Sequence, residues 1–511
     1  MKTVSRKAIC FLCLLLVFAL CALPLAAQSE DDFFFDDDVF TSSDDVFGES
    51  SFSDISFGDD DVIFEAWGAD GDDALFADEG IEVLDESASS ASSSDGTIFE
   101  AGSVKIGGRL SSSVGADFLL YDEDDDTSFG DRLYDMTISP AISADISLDA
   151  RPSDTLRMYT KFSLGYPFQT TGTSAGGSVT VSDFLNVKEM FTDFSLADRA
   201  FFRFGLHTVS WGTGYFFSPC SDMINSGKID PENADEQVDG SLNLRTQIIF
   251  PGSQNCLWLY AIPETGSGAK ARDTALAAKM EFVTGGFELG GGAFYQYEKA
   301  PKAMMTASGS IINGKVSVFG EGVFQYGADS EWAADTSFED KTALFKATAG
   351  FSYMWKDPEI MLMGQYLYDG NNVDDMLNMS VQLSPTIPSI NFVIPNQTYG
   401  HNIALMTSFS KLPLLKDCSF TLFGLVNIGK EDIPEETQNN FTVYKNFLKQ
   451  FGYDPDGIKK NLTVARATAT LNYAPSSSLS FSAGVSSKWV DFDSKPVLEA
   501  TLGATLGGGK F

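Results

Sequence analysis

The chain has 511 residues, 71 Asp+Glu against 34 Lys+Arg, and a formal net charge of -37. So acidic a chain is repelled by phosphate backbones, which argues against nucleic acid as a partner. Two histidines and six cysteines speak against a His-rich metal site or a disulfide scaffold, and a mean hydropathy of -0.03 is too polar for a bundle of membrane helices.

Residues 1–27 read as an export signal. Lys2, Arg6 and Lys7 precede an apolar run from Ala8 to Leu23, and Ala26 and Ala27 are the small residues before a cut ahead of Gln28. The rival reading is a lipoprotein acylated at Cys21. No later stretch reaches the ~18 apolar residues of a spanning helix.

Residues 28–100 form an acidic segment with 24 Asp+Glu and no Lys or Arg. It repeats a short unit: Asp37-Asp38-Val39-Phe40, Asp44-Asp45-Val46-Phe47 and Asp60-Asp61-Val62-Ile63-Phe64. Like charges extend such a chain, and it buries too little apolar surface to offset its ordering entropy. The expectation is a disordered periplasmic segment. Its phenylalanines are candidate docking points for a partner, or for a lumen that the acidic segment plugs from the periplasm.

From residue 101 to 511 the pattern changes to segments of period-two alternation. Leu242, Leu244, Thr246, Ile248 and Phe250 alternate with Asn243, Arg245 and Gln247; Leu479, Phe481, Ala483 and Val485 alternate with Ser480, Ser482 and Ser486. Eighteen such segments are placed near 103–121, 133–149, 154–166, 187–196, 200–209, 241–250, 256–263, 274–283, 286–297, 303–312, 315–326, 341–354, 358–368, 400–410, 417–428, 461–473, 477–490 and 496–510. Short links alternate with long ones, as tight periplasmic turns alternate with external loops in outer-membrane barrels. Lipid offers no partner to a free backbone amide, so only an edge-free barrel can span it with strands. The reading is all-β: a transmembrane antiparallel up-and-down β-barrel of about 18 strands, with 14–18 accepted. Tyr326, Trp355, Tyr368, Tyr473 and Trp489 fall near strand ends, where interfacial aromatics collect.

With the apolar face turned to lipid, the inward charges follow. The basic ones are Lys105, Arg109, Arg157, Lys161, Arg203, Arg245, Lys279, Lys346, Arg466 and Lys488. The acidic ones are Asp117, Asp145, Glu189, Asp193, Glu281, Glu288, Glu321 and Glu499. Arg157, Lys161, Arg203, Arg245, Lys279, Glu281, Glu321, Lys346 and Arg466 are the candidates for a water-filled lumen or its constriction. Arg203 and Arg245 flank the longest early loop; they either narrow the pore or pair with Glu189 or Asp193. Two later loops stand out. The 369–399 loop holds Leu377, Val381, Leu383, Ile387, Ile390, Val393 and Ile394, content that suits folding inward, or a missed hairpin. The 429–460 loop reads as a helix from Pro434 with an apolar stripe of Phe441, Tyr444, Phe447, Leu448 and Phe451.

The run Arg203-Phe204-Gly205-Leu206-His207, followed by Trp211-Gly212, Pro219 and Asp222, resembles the strand-and-loop motif of porin-like outer-membrane proteins of the alginate-export and related substrate-channel families. The resemblance covers some twenty residues and implies that Arg203 and His207 face a channel. The terminal Phe511 resembles the aromatic that the barrel-assembly machinery recognises. No Gly-x-Ser-x-Gly, His-Glu-x-x-His or phosphate-binding glycine loop is present, and Ser210 beside His207 is a weak nucleophile–base pair. No enzyme, cofactor or metal is expected. The expected function is a channel for small solutes in the bacterial outer membrane, with lipid around it and a homo-oligomer compatible with it. The alternatives are a transporter of hydrophobic molecules and a surface-exposed binding barrel or adhesin.

Overall fold

The computed structural model describes residues 97–511 apart from 102, 123–126, 167–184, 198, 235–237, 267, 340, 357–358, 372–379, 382–389, 392–399, 411–416, 430–462, 490–494 and 511. The expected 1–27 signal, nearly all of the 28–100 acidic segment, most of the 369–399 loop, the expected 429–460 helix and Phe511 lie outside the described residues.

The strands run in chain order. β1 (Thr97–Ala101), β2 (Val104–Tyr121), β3 (Thr137–Ser153), β4 (Leu156–Tyr166), β5 (Leu185–Leu196), β6 (Ala200–His207) and β7 (Ser241–Ile249) form the first part. β8 (Cys256–Ile262), β9 (Ala275–Thr284), β10 (Phe287–Tyr295), β11 (Lys302–Ile311), β12 (Val316–Tyr326), β13 (Ala343–Lys356) and β14 (Glu359–Asp369) continue the wall. β15 (Ser380–Val381) and β16 (Ile390–Asn391) pair only with each other. β17 (Gly400–Phe409), β18 (Cys418–Ile428), β19 (Thr463–Ser476), β20 (Leu479–Trp489) and β21 (Val497–Lys510) complete it. Among the described residues two short α-helices, α1 (Phe129–Tyr134) and α2 (Asp329–Ala334), sit in long links.

Of the 19 strands in the main sheet, β1 pairs with β2 alone. The remaining 18 form one antiparallel ring, closed where β2 meets β21 from Arg109↔Lys510 to Tyr121↔Leu498. Each of the eighteen expected segments became one of these strands. The β3 boundary moved from 133 to Thr137 because Ser128 caps α1, accepting from the Asp131 amide at 3.3 Å. The first strand begins at Thr97, inside the segment assigned to the acidic stretch. The β9–β10 turn is two glycines, Gly285 and Gly286 at φ 59° and 78°, a left-handed pair that turns the chain back with Thr284 opposite Phe287.

The pleat sorts the side chains. Ile142, Phe204, Leu244, Phe324, Val485 and Leu502 stand exposed on the outer face; their neighbours Ser143, Arg203, Arg245, Gln325, Ser486 and Thr501 point inward. An apolar skin of this extent belongs in hydrocarbon rather than water. The molecule's buried core therefore lies inside the ring.

Candidate functional site: a loop folded across the lumen

The link between β6 and β7, described over 208–234 and 238–240, turns into the barrel. Its first lobe, 209–225, is closed on itself by Asn225, which accepts from the Val209 amide at 2.8 Å and donates to the Val209 carbonyl at 2.9 Å. Ser221 Oγ accepts from the Trp211 and Gly212 amides at 3.0 and 2.9 Å. Gly212 is required at its position: a Cβ there would stand 1.9 Å from Ser218 Oγ and 2.3 Å from Glu321 Oε1.

Three wall residues hold this lobe. Glu321 of β12 accepts at Oε1 from the Thr213 and Gly214 amides, both at 2.6 Å, and from Ser218 Oγ at 3.1 Å; Oε2 accepts from the Cys220 amide at 3.0 Å. Four converging donors satisfy a buried carboxylate. Gln365 of β14 accepts from the Phe216 amide at 2.7 Å and donates to the Phe217 carbonyl at 2.6 Å and Thr348 Oγ1 at 2.7 Å. Lys279 of β9 donates to the Trp211 carbonyl at 3.0 Å and pairs with Glu281. Glu281 in turn accepts from Trp258 Nε1 at 2.5 Å and Cys256 Sγ at 3.0 Å.

Apolar packing completes the seal. Val209, Trp211, Cys220 and Ile224 join Cys256, Trp258, Tyr260, Phe294, Met304 and Val323 in one cluster against β8–β12. Phe216 and Phe217 join Met363, Leu367, Ala404 and Met406 in a second against β14 and β17, and Phe216 reaches the Phe423 ring of β18 at 5.6 Å. Burying each such aromatic contributes about 1.5–3 kcal/mol. The returning arm is tied at its base by the Gly227 amide to the Asp239 carbonyl at 3.1 Å. Its Ala234 packs on the second cluster and its Glu232 pairs with Arg466 of β19.

The loop thus runs from β6 to the opposite wall and divides the lumen. On the β7–β18 side the inner wall is covered. On the other side no inward residue of β20, β21, β2, β3 or β4 is buried among the described residues. That wall carries Lys488, Glu499, Thr501, Arg109, Ser111, Asp117, Ser143, Asp145, Asp149, Arg157 and Lys161. Ser111 and Ser143 touch at 2.7 Å, and Arg157 forks onto Asp149 at 3.1 and 2.9 Å. This is a water-accessible passage lined with hydroxyls and charges of both signs.

No family model matches the chain, and no curated protein matches it. Solved structures similar to it include OccK1 of Pseudomonas aeruginosa, 9% identical with a TM-score of 0.46, over 80% of this chain and 99% of that one. The outer membrane channel DcaP of Acinetobacter baumannii is 12% identical with a TM-score of 0.40, over 80% and 99%. A BenF-like porin from Pseudomonas fluorescens is 9% identical with a TM-score of 0.45, over 79% and 98%. The 18-strand ring itself stands on the chain's own strand pairing.

Every candidate charge points inward, but the loop separates them. Arg157, Lys161 and Arg466 border the open passage, and Lys346 pairs with Asp369 at 2.9 Å on the covered side. Arg203 does not narrow the pore: it forks onto Asp193, Nε–Oδ1 2.7 Å and Nη2–Oδ2 3.1 Å, and lies over the Phe191 ring at 3.9 Å. Arg245 is buried over the Trp258 ring at 5.3 Å. His207, expected to face a channel, is fully buried, its Nδ1 3.3 Å from the Gly205 carbonyl and its ring edge-on to Phe191. Lys279, Glu281 and Glu321 anchor the loop rather than line the pore. The described loop that folds inward is the link between β6 and β7; most of the 369–399 loop lies outside the described residues. Gln365, Asp149 and Asp369 also face the lumen and lie outside the candidate set. Gln365 carries no charge to flag it; Asp149 and Asp369 were readable from the same alternation, Asp149 two positions beyond Ser147 on the inward face of β3.

Proposed function

We propose that the protein is a porin-type channel of the bacterial outer membrane that passes small hydrophilic solutes along the β20–β4 side of its lumen. The one-sided filling of the ring carries this reading: a plug sealed on both sides would bury the inward residues of β2, β3 and β4 as well, and these stay in contact with water. Export through residues 1–27, assembly through Phe511 and self-association belong to the same proposal. The resemblance to alginate-export and related channels supports it, because the segment from Arg203 to Asp222 supplies the root of the infolded loop. A transporter of hydrophobic molecules would need an open apolar pocket, whereas both apolar clusters are occupied by the loop's own side chains.

The test is passage. Refolded protein in liposomes should admit neutral sugars up to a size cut-off, and planar bilayers should show discrete ion-conducting steps. A heat-modifiable barrel that inserts yet neither conducts nor swells liposomes would remove the channel reading.

A further inference from the structure

The loop is held unevenly. Its first lobe has Glu321, Gln365 and Lys279 beneath it and two apolar clusters around it. The arm from Gly227 to Ala234 crosses to the far wall, where Glu232 pairs with Arg466 and Ala234 packs on the second cluster. That pair is partly exposed, 36% and 19% by side chain, so water and salt reach it. Arg466 stands directly opposite Lys488 on β20, a like charge that an acidic partner on the arm offsets.

We infer that Glu232 and Arg466 form a strut that sets the width of the conducting passage. The arm walls off the part of the lumen facing β17–β19 and confines solutes to the polar side. Without the pair the arm's hold on β19 weakens while the clamped lobe stays in place, and the passage widens. This inference rests on the channel reading and adds to it the residues that fix its size limit.

The two charges separate a strut from ordinary pore electrostatics. If Glu232 and Arg466 acted only as lumen charges, Glu232→Gln and Arg466→Gln would shift the reversal potential in opposite directions and leave the sugar cut-off unchanged. A strut requires both variants to raise single-channel conductance at 0.1 M salt, and by a similar factor, because each breaks the same pair. Both should also admit larger sugars in the swelling assay. The exchanged double variant, Glu232→Arg with Arg466→Glu, should restore the wild-type cut-off. Equal cut-offs in all four proteins, or a double variant that stays wide, would overturn the strut while leaving the channel intact. If the wild type does not conduct, the channel reading fails first.

Discussion

Replacing Glu321 by glutamine should loosen the infolded loop while the barrel wall stays closed. The carboxylate accepts from three amides and one hydroxyl. A glutamine can accept only at one of its two terminal atoms. With its oxygen toward Thr213 and Gly214, its NH2 group faces the Cys220 amide, donor against donor. Hydrogen bonds to a charged group contribute about 1.5–3 kcal/mol each, and an unsatisfied buried donor costs about 1–3 kcal/mol. The loss for docking is therefore about 3 kcal/mol, on the order of a hundredfold in the undocked population. Cys220 reports it: the thiol is fully buried in the docked loop, and burial together with Glu321 holds it protonated. Maleimide labelling, with the modified cysteine located by mass spectrometry, should be on the order of a hundredfold faster at Cys220 in Glu321→Gln than in the wild type. Cys418, on β18, should keep its wild-type rate. Equal labelling of Cys220 in both proteins would refute the claim that this carboxylate clamps the loop.

Two further outcomes are expected. Asp193 is fully buried against the half-buried Arg203, so Asp193→Asn should break the fork between them and cost about 3 kcal/mol, the low end for a buried pair, read as a lower urea midpoint of the refolded barrel; an unchanged midpoint would count against the pair. Asp222 in the first lobe has its pKa raised to about 7, by burial first, with Lys228 and Lys346 working against the rise. It is neutral below that pH and charged above it, so cation preference in reversal-potential measurements should increase from pH 6 to 8, and Asp222→Asn should flatten the profile.

The wall was legible because a strand states its own facing: Asn243, Arg245 and Gln247 alternate with leucines and isoleucine whatever lies beyond them. The cover was not legible, because a local pattern holds no record of what packs onto a face. Lys279 and Glu321 carry the same inward signature as Lys161, yet the first two lie under the loop and the third meets water. One signal was present. Trp211, Phe216, Phe217, Cys220 and Ile224 give the 208–240 link an apolar content unusual for a solvated loop, as Leu377 to Ile394 do for 369–399. Glu321 as an anchor had no such signal, since its four donors come from residues more than a hundred positions earlier.

The infolded lobe also means that one chain answers to two solvents. The outer face meets hydrocarbon, where apolar contact brings no gain over lipid and the ring persists through its closed ladder of backbone hydrogen bonds. The lobe instead left water to pack Trp211, Phe216 and Phe217 against the wall, so its docking draws on the hydrophobic effect, which weakens on cooling. Cold therefore separates the two: the lobe becomes the first part to come away from a barrel that is still whole, and the interior behaves as a small water-soluble protein enclosed by a membrane protein.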